Sequence, residues 1–320
     1  MQLNYSFIIP VFNRPGEIRE LLHSMTALVF DSEYEIVIVE DGSTITCENV
    51  VEEFRGKLSI SYFQKPNSGP GDSRNFGMEK AKGNYFLILD SDVILPPEYL
   101  KEVDSFLSVN YFDCFGGPDA ADQSFTNLQK AINYAMTSLL TTGGIRGKKN
   151  AVGKFQPRSF NMGLSLQAFK ASEGFGFIHP GEDPDLSLRL EALGFKTTLI
   201  PNAVVYHKRR ISWRKFQTQV NKFGKVRPIL NHWHPGSGKI TYWFPALFII
   251  GLSIAVVLLL AGKPFLIFIY LFYFGIIGLD AAIKNKSFNI GLAAILATFI
   301  QFWGYGTGFL ISVWKLHFLK

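Results

Sequence analysis

Asp90 and Asp92 flank a single serine at the end of an apolar run, Asn84–Leu89. Two carboxylates one residue apart at a strand end can both reach a hard divalent cation, and such cations bridge diphosphate oxygens. Asp41 ends another apolar run and begins Asp41-Gly42-Ser43. Its carboxylate can accept from a base N–H or a ribose hydroxyl, although the same triplet is also good turn chemistry. Arg74 carries a fork of donors suited to phosphate or carbonyl oxygens. Glu182 and Asp183 open a run with Leu186, Leu190 and Leu193 on one side, so both acids fall near the positive end of a helix dipole.

These residues need a scaffold that gathers distant positions at one edge. The first 200 residues alternate strand and helix patterns. Tyr5–Val11 is a short apolar run ended by Asn13-Arg14-Pro15-Gly16, and Glu17–Leu28 has helical spacing. Glu35–Val39 and Ser59–Phe63 read as the next strands, Gly71–Lys82 as a helix, Asn84–Leu89 as the fourth strand, and Ala203–Tyr206 as a late one. Continuous apolar strands separated by helices predict an α/β fold with a mostly parallel sheet covered on both faces. Ligands of such sheets bind outside the carboxyl ends of the strands. That rule selects Asn13 and Arg14, Glu40 and Asp41, and Asp90 and Asp92.

Charge divides the chain. Residues 1–200 carry a net −7, and residues 201–320 hold one acid, Asp280, and a net +13. With 48% apolar residues and 30 Phe the chain is neither disordered nor collagen-like, and two Cys exclude a disulfide scaffold. Residues 242–262 are uncharged over a length that crosses a hydrocarbon core of ~30 Å. Apolar runs at 264–283 and 288–313 follow, with Trp243, Trp303 and Trp314 in or near them, which predicts about three membrane helices. The pattern following Met1 is soluble-looking, so the first 200 residues are expected to stay cytoplasmic, and the membrane is expected to be an inner membrane of bacterial type. The expected organisation is a catalytic domain over 1–207, a juxtamembrane segment over 208–239, membrane helices over 240–314 and a tail over 315–320. The basic residues from Lys208 to Arg227, interleaved with Trp213, Phe216 and Phe223, predict an interfacial helix on anionic lipids rather than a nucleic-acid surface, because a span begins so soon afterwards. The Gly-rich, basic stretch Thr141–Lys154, with Lys148 and Lys149, reads as a loop that could close over phosphate.

From about Ser6 to His207 the chain resembles the family 2 glycosyltransferases of GT-A fold. The resemblance rests on ordered motifs: Phe7-Ile8-Ile9-Pro10-Val11-Phe12-Asn13, Ile38-Val39-Glu40-Asp41-Gly42-Ser43, Asn67-Ser68-Gly69-Pro70-Gly71-Asp72-Ser73-Arg74-Asn75, Leu89-Asp90-Ser91-Asp92 and Gly181-Glu182-Asp183-Pro184-Asp185. Glu40 stands where that family usually has Asp. The resemblance implies a nucleotide-sugar donor, a UDP- or GDP-sugar, held by Pro10, Phe12, Arg14, Glu40, Asp41, Arg74 and Asp90. It also implies Mg²⁺ or Mn²⁺ on Asp92, Asp90 and His207. Asp183, beside Glu182, takes the place of the general base in a single inverting displacement onto a hydroxyl of a glycan or lipid-linked acceptor. Such a reaction belongs to cell-surface polysaccharide synthesis. Phe160-Asn161-Met162-Gly163 resembles the acceptor-side segment, which makes Asn161 an acceptor contact. Two other readings stay open at this point. One is transfer to a polyprenyl phosphate, already an anion and without need of Asp183. The other is a non-catalytic membrane scaffold with a nucleotide-binding domain.

Overall fold

The protein was analysed as a computed structural model, which describes residues 2–120, 125–143, 155–207 and 212–318. The chain forms two compact units: residues 1–122 with 145–208, and residues 123–144 with 209–320.

The first unit is built on a seven-stranded sheet. Its elements in chain order are β1 (Tyr5–Val11), α1 (Pro15–Met25), β2 (Tyr34–Asp41), α2 (Glu48–Phe54), β3 (Ile60–Lys65), α3 (Pro70–Lys80), β4 (Tyr85–Leu89), β5 (Val93–Ile94), α4 (Tyr99–Val109), β6 (Cys114–Gly116) and β7 (Asp119–Ala120). After the segment that belongs to the second unit come β8 (Asn161–Ser165), α7 (Leu166–Ser172), α8 (Glu182–Ala192), β9 (Thr197–Leu199) and β10 (Val205–His207). The sheet order is β3-β2-β1-β4-β8-β6-β9. β1, β2, β3 and β4 run parallel, and β8 is antiparallel to both its neighbours. Side chains alternate across the sheet: Phe7, Ile9 and Val11 enter one apolar cluster with Ile36, Ile38 and Leu87, while Ile8 enters another with Val37, Val39 and Ile88. Burial on both faces explains the unbroken apolar strands. Pro10 is tolerated because the β1–β4 pairing ends at Ile8↔Ile88, so the residues after Ile8 pair only with β2.

A second sheet, β5-β10-β7, is small but decides the site. β10 pairs antiparallel with β5, His207 opposite Val93, and parallel with β7, Val205 opposite Asp119. Residues 92, 119 and 207 are thereby gathered at one place.

The second unit is helical. It holds α5 (Asn127–Thr137), α6 (Leu139–Thr142), α9 (Trp213–Trp233), α10 (Phe244–Leu260), α11 (Phe265–Asn285) and α12 (Phe288–Phe318). Residues 123–144, which the sequence reading places inside the first domain, pack here instead. Ala131, Ile132 and Ala135 of α5 join a cluster with Phe216, Val220, Ile277, Ala294 and Ala297. α5 starts with a capping box between Thr126 and Gln129. Ile240–Leu260, Phe265–Asn285 and Phe288–Phe318 are long and apolar enough to cross a membrane.

α9 does not turn its apolar stripe outward. Phe216, Val220, Gly224 and Leu230 are buried, and the stripe lies against α12, while Arg214, Lys215, Lys222 and Lys225 remain exposed. The approach is close: a Cβ on Gly224 would lie 2.1 Å from the Tyr305 carbonyl oxygen, and one on Gly308 would lie 2.3 Å from that of Asn221. Small residues let the two backbones meet, and Asn221 Nδ2 donates across to Gly304 O at 3.0 Å. The sequence reading expected this stripe on lipid headgroups. Periodicity shows which face of α9 is apolar but carries no information on what covers it. Lys148, Lys149, Lys208, Arg209 and Arg210 lie outside the described residues.

Candidate active site

The strand ends meet at one edge of the sheet. After β1, Asn13 takes a left-handed conformation (φ 54°), which Asn tolerates better than most residues. Its Oδ1 accepts the N–H groups of Thr44 and Ile45, both at 2.9 Å, and its own N–H donates to Ser43 Oγ at 2.7 Å. These bonds tie the turn after β1 to the turn after β2. Phe12 beside it is 49% exposed, available as a platform, and Pro10 is buried in β1.

Asp41 is buried and accepts from Lys65 Nζ at 2.9 Å, Ser68 N–H at 2.9 Å and Gly69 N–H at 3.0 Å. Burial raises its pKa, but Lys65 and the Ser68 N–H outweigh that and hold it below the ordinary value. Asp41 therefore stays ionised and shapes the 66–69 turn. Lys65 closes β3, so the strand-end rule that selected Asp41 also points to it, although it was not among the expected residues. Glu40 corrects an expectation. Its carboxylate is 2% exposed and accepts from Cys47 N–H at 2.8 Å, Tyr62 Oη at 2.9 Å and the Ser43 hydroxyl. With both oxygens taken by the protein, it braces the 41–47 turn from beneath rather than contacting a donor.

Among the described residues, Asp90, Asp92 and His207 bring one ligand atom each within 4.8 Å of one another. Asp92 Oδ2 accepts from Arg14 Nη1 at 2.6 Å, and its buried Oδ1 accepts no hydrogen bond while lying 3.2 Å from His207 Nε2. Burial raises the Asp92 pKa, but His207 and Arg14 reverse this and hold it far below the usual carboxylate range. The His207 ring stacks on Phe160, centroids 4.9 Å apart, and its Nδ1 lies 3.7 Å from Asp119 Oδ2. Two carboxylates and an imidazole, with an oxygen left over, fit Mn²⁺ or Mg²⁺. Asp119 carries no motif signal, since only the β10 pairings reveal it.

Arg74, on α3, is 4% exposed. Its Nη2 donates to Asp90 Oδ1 at 2.7 Å, its Nη1 reaches Glu182 Oε1 at 3.4 Å, and its guanidinium lies over the Phe175 ring. It thus links the end of β4 to the start of α8. Asn75, next to it, pairs with the Phe175 backbone in both directions, 2.9 and 2.8 Å, and fixes the loop that leads to α8.

At the start of α8 two adjacent acids are driven apart. Burial raises the Glu182 pKa, but His179 and Arg74 reverse this and bring it down to about 2. Asp183 moves the other way: burial raises its pKa and the Glu182 charge adds to that, against Arg74 and Arg158. Its Oδ1 is buried and accepts no hydrogen bond. Two carboxylates held in such different environments are suited to separate parts in proton transfer.

Asn161 corrects a second expectation. It is 0% exposed, accepts from Tyr99 Oη at 2.7 Å and donates to Ala203 O at 2.7 Å. Although Asn161 pairs with Leu89 at the ligand edge of the sheet, its side chain is enclosed and engaged by Tyr99 and Ala203, so it cross-links β8 to its surroundings rather than presenting its amide to an acceptor.

Comparison with known proteins places this architecture. The family model described as Glycosyl transferase family 2 matches residues 6–165. Poly(ribitol-phosphate) beta-N-acetylglucosaminyltransferase TarS of Staphylococcus aureus is 34% identical over 114 residues, covering 35% of this chain and 20% of that protein. Chondroitin synthase of Escherichia coli is 27% identical over 151 residues, 45% of this chain and 22% of that protein. The alignments thus span about a fifth of these curated relatives. Among solved structures, the mannosyltransferase PcManGT from Pyrobaculum calidifontis, in complex with GDP-Man and Mn²⁺, is similar with a TM-score of 0.59 at 15% identity, covering 100% of this chain and 88% of that one. TarS 1–349 of S. aureus in complex with UDP-GlcNAc reaches 0.52 at 18% identity, covering 96% and 91%. At these identities the likeness is one of fold, and it agrees with the GT-A architecture.

Proposed function

The chain belongs to glycosyl transferase family 2 and is a glycosyltransferase, and from that premise we propose that it is a metal-dependent, inverting enzyme that moves a sugar from a UDP- or GDP-sugar to an acceptor hydroxyl. The observation that carries this reading is the Arg74 bridge, which holds Asp90 of the cation cluster and Glu182 beside Asp183 in one crevice. The solved structures of similar fold contain UDP-GlcNAc in one case and GDP-Man with Mn²⁺ in the other, which supports the donor class and the cation.

In this reading Phe12 and the 66–69 turn that Asp41 holds face the base and ribose, and Arg14 offers the diphosphate a cation from the β1 side. Asp90, Asp92 and His207 hold the divalent cation, which when bound offsets the charge of the departing diphosphate. Asp183 takes the proton of the acceptor hydroxyl. That oxygen forms its bond to the anomeric carbon as the bond from this carbon to the diphosphate oxygen breaks, so the configuration inverts and nucleoside diphosphate leaves. The acceptor is a glycan or lipid-linked intermediate of a surface polysaccharide, in keeping with one relative named as a poly(ribitol-phosphate) N-acetylglucosaminyltransferase and another as a chondroitin synthase. The three long apolar helices support a membrane setting, and the basic residues of α9 support a cytoplasmic catalytic unit close to anionic lipid.

A panel of nucleotide sugars, offered with Mn²⁺ or Mg²⁺ and a membrane extract, should release nucleoside diphosphate from one UDP- or GDP-sugar. Turnover of none of them would remove the catalytic reading and favour the scaffold. A smaller effect concerns Asp119. A carboxylate on the far nitrogen of a metal-binding imidazole fixes its orientation, and losing it typically costs about 10–100-fold in metal affinity. Asp119→Asn is expected to weaken Mn²⁺ binding by about that factor in calorimetric titration, with part of the affinity returning in Asp119→Glu. An unchanged affinity would separate Asp119 from the site.

A further inference from the structure

The C-terminal 120 residues contain one carboxylate, Asp280, and it is already engaged by Tyr134 Oη and Lys284 Nζ, each at 2.6 Å. Arg227 of α9 therefore lies in a helical unit that offers it no free acid. It is 9% exposed, and its guanidinium rests on the Tyr242 ring, 4.3 Å from the centroid. Its Nη1 is buried and makes no hydrogen bond. One helical turn further along the same face, Asn231 Oδ1 is also buried without a partner, as is Ser237 Oγ in the turn that follows α9. The chain folds back over this face: a Cβ on Gly238 would touch the Asn231 amide at 3.7 Å.

A buried cation with an unpaired N–H, and two further unsatisfied polar atoms along the same stretch of chain, are costly unless something completes them. We infer that Arg227, Asn231 and Ser237 form a binding site for a phosphate oxyanion, a monoester or a diester. The guanidinium supplies a planar fork that matches two phosphate oxygens, and the aromatic ring beneath fixes its plane. Ser237 adds a hydroxyl donor. The Asn231 amide presents an oxygen in the present assignment and an NH₂ after a simple flip, a choice that its partner decides. Exposed Trp233 and Trp243 flank the site at the entrance to the first apolar helix, the level at which lipid phosphates lie. The ligand is a lipid phosphate headgroup or free phosphate, and both have the chemistry this site requires. The exposed lysines and arginines of α9 differ from it in kind, because they attract an anionic surface without enclosing any one group. The inference concerns the helical unit by itself and does not rest on the proposed transferase mechanism.

Native mass spectrometry of the full chain in detergent tests it, with phosphatidate and diacylglycerol of the same acyl chains as probes, each with and without inorganic phosphate. Wild type should retain phosphatidate over diacylglycerol, and Arg227→Gln should lose about 10–100-fold of that affinity, with Arg227→Lys in between. In phosphate-free buffer Arg227→Gln should unfold at the wild-type temperature or above, because the variant removes an unpaired buried charge. Stabilisation of wild type by inorganic phosphate, with no retention of phosphatidate, identifies the free anion as the ligand. Retention of phosphatidate that inorganic phosphate does not disturb identifies the lipid. Retention of phosphatidate by wild type that Arg227→Gln matches overturns the inference, as does stabilisation by inorganic phosphate that the variant shares, or a wild type that neither prefers phosphatidate nor is stabilised by phosphate. Should Arg227→Gln fail to fold, Ser237→Ala, in the turn after α9, reads the same contrast, and unchanged phosphatidate retention there removes Ser237 and the enclosed site with it.

Discussion

Replacing Asp183 by Asn is expected to lower kcat by about 10²–10⁴-fold, the range that a positioned general base contributes, while the Kd for nucleotide sugar stays near wild type. The expectation follows from the split at the start of α8. Glu182 is kept ionised by His179 and Arg74, and Asp183 is left with a raised pKa and a buried oxygen that accepts no hydrogen bond. A base acts only when ionised. The rate should therefore fall as the pH drops through the Asp183 pKa, and because that pKa is raised, the acid limb lies above the pH at which an ordinary aspartate would place it. The limb should be missing from the residual activity of the Asn variant. Stability should not suffer, since Asn removes the repulsion from Glu182, and thermal unfolding checks this. Near-normal turnover by Asp183→Asn would sink the base assignment and move the acceptor towards an anion such as a polyprenyl phosphate, which brings its own nucleophilic oxygen.

The second large effect belongs to Asp92. Asp92→Asn is expected to weaken Mn²⁺ binding by more than about 100-fold, beyond the 10–100-fold that follows loss of an outer partner, and to abolish metal-stimulated sugar transfer. Asp92 joins three groups: Arg14 on one oxygen, His207 beside the other, and Asp90 two residues away. An amide takes the charge from the carboxylate that lies between Arg14 and His207, and leaves Asp90 as the one carboxylate of the three-residue cluster. Asp92, held between His207 and Arg14, also carries a pH signature. The folded-state pKa of Asp92 is depressed, so the stability it contributes is present above the ordinary carboxylate range and is lost as the pH falls through the depressed value. Wild type should thus lose stability on acidification, and Asp92→Asn should lose less over the same window. Equal Mn²⁺ affinity in wild type and variant, by paramagnetic resonance titration, would take Asp92 out of the site.

Much of the catalytic unit was legible residue by residue. The expected first strand, Tyr5–Val11, is β1, and Asp41 ends β2 while Asp90 and Asp92 follow the end of β4, as their spacing predicts. Strand and helix periods are local properties, and the rule that ligands gather at carboxyl ends needs only the order of the strands. Asn161 and Glu40 were misjudged for a different reason. Polar residues within motifs look alike whether they face a ligand or brace the fold, and only the hydrogen-bond partners distinguish the two. Asn161 spends its amide on Tyr99 and Ala203, and Glu40 spends its carboxylate on Cys47, Tyr62 and Ser43. Residues 123–144 show the same limit at a larger scale. The amphipathic pattern of α5 announces a buried face, while its partners, α11 and α12, lie more than a hundred residues away.

By itself, the sequence determined the alternation of strands and helices, the acids at strand and helix ends, and three apolar helices with almost no charge, because each follows from the composition and spacing of neighbouring residues. Only the tertiary structure decided which of those polar groups are satisfied. It set Asp119 behind His207 through the β10 pairings, joined Asp90 to Glu182 through Arg74, and left Arg227 enclosed without an anion. The physical reason is that ion pairing and desolvation depend on distances between residues remote in the chain, and those distances exist only once the sheets and helices have closed around them.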